Sequence, residues 1–203
     1  DPIGSRGLGD VYKRQSGNFG IGHDVDTFLE AAKALSKDDR IRFAFVGGGK
    51  KKARVEEFIA EHELESSCVI APYQPRERLD ELLSAADMHL VSLLEGVEGI
   101  MVPSKLFGIL AAERPAIFIG DASSEISRVI LENDCGGSVR QGDTESLVGL
   151  IENFASNTDV CEAAGRRARK ALVDEHGARH RLQAWRMLLE DLSESGSSAR
   201  DSV

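Results

Sequence analysis

The stretch IRFAFVGGGKKKARVEEFIAEHELESSCVIA, residues 41–71, decides the fold class. It opens with a continuous apolar run at 41–46, places apolar residues at helical spacing within 55–59, and closes with a second apolar run at 68–71. Continuous apolar runs are typical of strands that are buried on both faces, as in parallel sheets. The segment therefore predicts a strand, a helix and a second strand parallel to the first.

The same alternation continues toward the carboxyl end of the chain. Further apolar runs predict strands, which are MHLVSL (88–93), AIFIG (116–120) and GGSV (136–139). Amphipathic segments predict helices at about 79–83, 126–130, 159–173 and 178–192, and Asp143 is the expected N-cap of one more. This order predicts an α/β fold with a doubly wound, mainly parallel sheet of six strands.

The beginning of the chain does not fit that pattern. A doubly wound domain should open with a buried apolar strand just before SGNFG (16–20), yet residues 9–15 read GDVYKRQ. We therefore interpret residues 1–15 as a non-native lead-in that resembles translated vector sequence, and we expect the first strand to be short or damaged. The domain is predicted to span 16–192, followed by a disordered tail at 193–203.

The last predicted helix carries an apolar face formed by Trp185, Leu188, Leu189 and Leu192. A contiguous apolar face on a surface helix is typical of a contact with another part of a protein. We expect this face to be exposed here, because it would pack against a domain that the chain lacks.

Composition argues against several classes of function. The 203-residue chain has a net charge of −9, which disfavours a nucleic-acid-binding protein. Cys68, Cys135 and Cys161 have no CxxC spacing, so neither a disulfide framework nor a zinc site is indicated. No apolar run approaches the roughly 20 residues of a membrane-spanning helix, which leaves peripheral contact open. We expect a cytoplasmic location.

Glycine, lysine and acidic residues are concentrated in the loops that follow the predicted strands. Because the carboxyl ends of parallel strands share one edge of the sheet, these loops predict a binding crevice there. Gly17, Gly20 and Gly22 would let backbone amides approach a ligand, and a helix beginning near Asp24 would add its dipole. A tight turn without a ligand is the alternative. The segment lacks the GxGxxG fingerprint, which disfavours NAD.

The segment VPSKLFGILAAERP, residues 102–115, predicts a helix start at Pro103 and Ser104, with Lys105 in the first turn. A cation at this position opposes the helix dipole unless an anion shares the site, so Lys105 is a candidate ligand for a diphosphate. The alternative is a solvated first-turn lysine. For the lysines at 50–52, a solvated helix start is the favoured interpretation over a phosphate clamp.

Taken in order, these segments resemble the C-terminal domain of family 4 retaining glycosyltransferases of the GT-B fold, particularly bacterial surface-polysaccharide sugar transferases. The likeness covers about residues 16–192. It rests on SGNFG (16–20), FAFVGGGKKK (43–52), VIAPYQPRERLDELLSAADMHLVSL (69–93), VPSKLFGILAAERPAIFIG (102–120) and GGSVRQGDTESLV (136–148). The resemblance implies a Rossmann-like domain that holds a nucleoside diphosphate sugar, expected to be a UDP-sugar. A missing N-terminal domain would supply the acceptor site.

The resemblance also assigns residues to parts of the donor. Near the phosphates it places Gly17, Asn18, Gly20, Ser104 and Lys105, and near the base it places Tyr73 and Gln74. Glu95 and Glu98 lie in a loop that faces the sugar in this family, so they are candidate catalytic residues. A solvated acidic loop explains these two glutamates equally well.

Two further candidates have a competing interpretation. Glu125 either reaches donor hydroxyls or, as we slightly favour, is an acid that stabilises a helix N-terminus. His23 either hydrogen-bonds a phosphate or is a solvated histidine at a helix entry.

The sequence departs from the family pattern at two places. Gly108 stands where many members carry an acid that contacts ribose. His23 and Asp24 replace basic residues that often follow the first glycine loop. These departures shift the expected phosphate binding onto Lys105.

The resemblance implies a hexosyltransferase that retains configuration and needs no metal or cofactor, and no Asp-x-Asp pair follows a strand as a metal ligand would. The acceptor would be a saccharide or a lipid-linked molecule, and the fragment alone is expected to be inactive. Two alternatives stay open from the residues. One is half of a nucleotide-sugar epimerase, and the other is a noncatalytic nucleotide-binding α/β module.

Overall fold

The structure is a computed structural model that describes residues 11–97, 105–177, 182 and 185–190, with the backbone alone described at 11–18 and 176. Strands and helices alternate along the chain. In order they are β1 (Val11–Asn18), α1 (Asp26–Ala34), β2 (Ile41–Gly48), α2 (Lys52–Glu61), β3 (Cys68–Ala71), α3 (Leu79–Ser84), β4 (Met88–Ser92), α4 (Lys105–Ala111), β5 (Ala116–Ile119), α5 (Glu125–Glu132), β6 (Gly136–Val139), α6 (Thr144–Ser156) and α7 (Thr158–Ala171). A 3-10 turn (Arg76–Arg78) precedes α3, and a π-helical turn (Leu172–His176) follows α7.

In the part of the chain that the structure describes, six strands form one sheet in the order β3-β2-β1-β4-β5-β6. Every neighbouring pair is parallel. The chain winds outward in one direction from β1 and in the other from β4, so the loops that follow these two strands border a crevice at the carboxyl edge of the sheet. The predicted doubly wound α/β fold with six strands is confirmed.

Apolar side chains pack on both faces of the sheet. One buried cluster contains Phe28 of α1, Phe45 of β2 and Phe154 of α6. A second cluster contains Leu110 of α4 and Phe118 of β5. Because helices cover both faces, β5 is buried at each of its four positions, which explains its continuously apolar sequence.

The first strand differs from the expectation. β1 has eight residues and pairs with β2 along its whole length, from Val11 with Ile41 to Asn18 with Gly48. It also pairs with β4, so it lies in the middle of the sheet. The prediction of a short strand was wrong, because a parallel ladder is made by backbone N–H and C=O groups, which a polar sequence supplies as well as an apolar one.

The predicted N-cap Asp143 is confirmed, and the helix predicted at 178–192 is confirmed at the positions that the structure describes, 182 and 185–190. Asp143 caps α6, since its Oδ1 accepts a hydrogen bond of 3.0 Å from the backbone N–H of Ser146. Residues 185–190 are helical, and Trp185, Leu188 and Leu189 are 62, 49 and 60% exposed, as predicted. Leu192 lies outside the described residues.

Candidate functional site

The glycine loop, residues 19–24, connects β1 to α1 at the carboxyl edge of the sheet. On one side it is attached to the loop that follows β2. The backbone N–H of Phe19 donates to the carbonyl oxygen of Gly48 at 2.6 Å, and the N–H of Lys51 donates to the carbonyl of Phe19 at 2.9 Å. Lys51 also donates from its Nζ to the carbonyl of His23 at 2.5 Å. The end of the glycine loop at His23 is therefore held by the side chain of Lys51, which belongs to the loop that follows β2.

On its other side, the glycine loop is attached to the end of β4. The backbone N–H of Leu94 donates to the carbonyl of Gly22 at 2.9 Å. Nδ1 of His23 lies 2.7 Å from the carbonyl oxygen of Ser92, and Oγ of Ser92 donates to the carbonyl of Asp24 at 2.8 Å. These contacts join the glycine loop to the end of β4.

The N-terminus of α1 is already occupied by a side chain of the protein. Oδ1 of Asp24 accepts hydrogen bonds from the backbone N–H groups of Asp26 and Thr27, at 3.1 and 3.3 Å. The hydroxyl of Thr27 donates to Oδ2 of the same carboxylate. We expected this helix end to face a ligand anion, but its first-turn donors are bonded to a carboxylate.

His23 is buried, with 4% of its surface exposed, so the interpretation as a solvated histidine was wrong. Burial is the largest cause that lowers its pKa, followed by the charge of Lys105, while the bond to Ser92 acts in the opposite direction and Lys51 lowers it further. A carbonyl oxygen only accepts, so Nδ1 carries the proton in the neutral ring. Nε2 of neutral His23 is therefore an acceptor.

Lys105 is the first residue of α4, and its amine is buried. No described residue provides a hydrogen-bond partner for its Nζ. Burial lowers the pKa of Lys105 to about 8. A buried ammonium without a partner is costly, and an anion placed next to it would remove much of that cost.

A cavity of about 360 Å³ lies between α4, α3 and the loop that follows β3. Three of the predicted site residues line it together, namely Tyr73, Gln74 and Lys105, and Gly108 lies in its wall. Tyr73 is 60% exposed, and its hydroxyl lies 3.4 Å from the carbonyl of Gly48. The cavity thus brings together an exposed aromatic side chain, an amide and a buried amine.

Glu95 lies in a different place. It is exposed in the loop that follows β4, and it lines a second, polar pocket of about 430 Å³. The other lining residues are Asp24, Asp26, Thr27, Glu30, Gln141, Gly142 and Thr144. The structure therefore separates the predicted base-side residues from Glu95.

The remaining predicted residues are distributed as follows. Gly17 and Asn18 end β1, opposite Gly47 and Gly48 of β2. Glu125 is exposed in the first turn of α5, next to the N-cap Ser124. Ser104 and Glu98 lie outside the described residues.

Sequence reasoning missed two features of this edge. Lys51 is half-buried and bonded to the glycine loop, whereas we favoured a solvated helix start for all three neighbouring lysines. The buried group formed by Asp24, Thr27 and Ser92 was also missed. An Asp beside a helix start is a signal for a side chain that accepts from first-turn N–H groups, and Asp24 offered it one residue before the N-cap Val25.

Comparison with known proteins identifies the class. Residues 15–171 match the family model of the glycosyl transferases group 1. This match covers more than half of the chain, so the protein belongs to that family.

Curated relatives agree with the family match. The probable glycosyltransferase WbjE of Pseudomonas aeruginosa is 33% identical over 149 residues, which cover 72% of this chain and 34% of WbjE. The putative colanic acid biosynthesis glycosyl transferase WcaI of Escherichia coli (strain K12) is 34% identical over 114 residues, which cover 56% of this chain and 28% of WcaI. The chain thus spans about a third of the length of these relatives and resembles transferases of bacterial polysaccharide biosynthesis.

A solved structure with the same fold is a mutant of S. aureus TarM, determined in complex with Fondaparinux, alpha-GlcNAc-glycerol and UDP. It superposes with a TM-score of 0.76 at 17% identity, and the match covers 88% of this chain and 35% of TarM. The likeness supports the GT-B type of fold. In the described residues, no helix combines the length and the apolarity that a membrane span requires.

Proposed function

We propose that this chain is the donor-binding half of a retaining, metal-independent glycosyltransferase, and that it binds a nucleoside diphosphate sugar, with a UDP-sugar as the donor. The observation that carries the proposal is the buried amine of Lys105, which has no hydrogen-bond partner among the described residues and lies in a cavity with Tyr73 and Gln74. The family match supports a transferase over an epimerase or a noncatalytic nucleotide-binding module.

The cavity is suited to a nucleotide in three respects. The exposed ring of Tyr73 offers an apolar face for a base, and the carboxamide of Gln74 can both donate and accept hydrogen bonds. Lys105 would then meet the diphosphate. TarM, which shares the fold, was solved with UDP, and this agrees with a nucleotide that carries a diphosphate.

Lys105 would also act in the transfer step. When the bond between the sugar and the diphosphate breaks, negative charge grows on the departing nucleoside diphosphate. A cation that is held in place with little water around it stabilises this charge more than a solvated cation does. This charge stabilisation by the chain itself is the basis for proposing that the reaction needs no metal ion.

The acceptor, a saccharide or a lipid-linked molecule, would be held by an N-terminal domain, and the exposed face with Trp185, Leu188 and Leu189 would pack against that domain. Without it, the chain should bind a donor but not transfer sugar. The three cysteines are buried thiols, which supports a reducing cytosol as the compartment, and contact with the inner face of the membrane would come from the full-length enzyme.

The test is a calorimetric titration of the chain with UDP, GDP, ADP, CDP and TDP, together with a hydrolysis and transfer assay on the matching sugar donors. We expect weak binding of at least one nucleoside diphosphate, with UDP preferred, and no sugar transfer. A chain that is folded by circular dichroism but binds none of the five nucleotides would contradict the proposed function.

A further inference from the structure

Three polar side chains are buried together beneath the carboxyl edge of the sheet. Asp24 and Thr27 are each 3% exposed, and Ser92 is fully buried. Burying polar groups costs free energy unless they are hydrogen-bonded. Their bonding partners therefore indicate what the cluster holds in place.

The hydrogen bonds form a chain that joins three loops. The backbone N–H of Gly142, in the loop after β6, donates to Oγ1 of Thr27 at 2.9 Å, across 115 residues of sequence. Thr27 in turn donates to the carboxylate of Asp24 in the glycine loop. The carbonyl of Asp24 accepts from Oγ of Ser92, at the end of β4, at 2.8 Å. The hydroxyl of Thr27 lies in the middle of this chain of hydrogen bonds, where it accepts one bond and donates the other.

Sheet pairing does not produce this contact. β6 is the edge strand, and both β4 and β5 lie between it and β1. The loop after β6 meets the glycine loop because the helices that follow them, α6 and α1, pack against each other in one core cluster. The bond between Thr27 and Gly142 ties the two loops together, and all three loops line the polar pocket that contains Glu95 and Gln141.

We infer that Thr27 is a positioning residue, whose hydroxyl holds the loop after β6 and the glycine loop in one arrangement at the binding edge. Its effect on the loops stands on the hydrogen bonds alone, whereas its effect on nucleotide binding rests on the proposed function. The side chain acts through Asp24 and Gly142 and need not touch the ligand.

Two substitutions separate the hydroxyl from the shape of the side chain. Thr27→Val keeps the volume but can neither accept from Gly142 nor donate to Asp24. Thr27→Ser keeps the hydroxyl and removes a methyl group, so it is the matched control. If Thr27→Val does not fold, Thr27→Ala removes the same hydroxyl without placing a second methyl beside the carboxylate.

The first measurement needs no ligand. Amide hydrogen exchange of Gly142, followed by NMR in the unliganded chain, should become about three- to tenfold faster in Thr27→Val, as expected for one lost hydrogen bond, and should stay near wild type in Thr27→Ser. Equal exchange in all three proteins would overturn the inference.

The second measurement is calorimetric affinity for UDP. We expect about three- to fivefold weaker binding by Thr27→Val and recovery in Thr27→Ser, because a loop that must be ordered on binding lowers affinity. Faster exchange with unchanged affinity would overturn the positioning role. If the wild-type chain binds no nucleoside diphosphate, the proposed function fails, and the exchange of Gly142 alone then decides whether Thr27 holds the loops.

Discussion

Lys51 and Lys105 lie at the same edge of the sheet, yet their amines are in opposite states. The amine of Lys51 donates to the carbonyl of His23 at 2.5 Å, so the chain itself satisfies it. The amine of Lys105 is buried and has no partner among the described residues. A satisfied cation stabilises the unliganded protein, whereas an unsatisfied one raises its free energy until an anion binds. Lys51 therefore holds a loop of the protein, whereas Lys105 is available to a ligand.

The largest effect is expected from removing the unsatisfied cation. Lys105→Ala deletes one charge-assisted contact to the diphosphate, which should weaken UDP binding by about 1.5–3 kcal/mol, or roughly ten- to a hundredfold. Calorimetric titration measures this loss directly. Equal UDP affinity in wild type and Lys105→Ala would contradict the proposed contact between Lys105 and the diphosphate.

The lowered pKa of Lys105 predicts that both the stability of the chain and its affinity for UDP depend on pH. Its pKa in the folded chain is about 8, below the ordinary value of 10.5, so between these values the unfolded chain binds more protons. The contribution of Lys105 to the stability of the unliganded chain therefore rises with pH across this window.

The affinity for UDP should change in the opposite direction. It should fall by about tenfold between pH 7 and pH 9, because the diphosphate of UDP is bound by the charged form of the Lys105 amine.

Titrations and thermal unfolding at several pH values check both trends. Lys105→Met is the control, since it removes the titrating amine and keeps a long side chain, so it should flatten both curves near pH 8. A wild-type affinity that does not change between pH 7 and pH 9 would contradict the assigned charge state.

A smaller effect is expected from the satisfied cation. Lys51→Ala removes the bond to His23 and loosens the glycine loop, so UDP binding should weaken by about three- to fivefold and the melting temperature should fall by a few degrees. Lys52→Ala is the matched control, because the amine of Lys52 is paired with Glu56 at 3.2 Å on the surface and should change either quantity little. A loss for Lys51→Ala as large as that for Lys105→Ala would mean that the two amines do not differ in role.

Much of the fold could be predicted because its signals are local. β3 and β6 were predicted with the correct bounds. β2 begins at the predicted residue and is buried at most of its positions, which explains its largely apolar sequence. β1 could not be predicted in the same way. Its sequence is polar and carries no strand signal of its own. Its length follows from backbone pairing with β2, which lies elsewhere in the sequence.

The candidate site was predicted in part. Tyr73, Gln74 and Lys105 were assigned from the resemblance to one family, and the structure brings them to one cavity. Their roles stay predictions. The state of His23 could not be read from the sequence, because its burial and its bond to Ser92 depend on a strand 69 residues away.

The sequence by itself determined the parallel α/β pattern and the edge of the sheet at which glycine and lysine accumulate. It favoured Lys105 over the lysines at 50–52 as a phosphate ligand, but it treated the three neighbouring lysines alike. The tertiary structure decided that Lys50 is exposed, that Lys51 bonds the glycine loop and that the amine of Lys105 is buried with no partner in the described part of the chain. The physical reason is that the free energy of a charged group depends on the water and the hydrogen-bond partners around it, and distant parts of the chain supply or remove both.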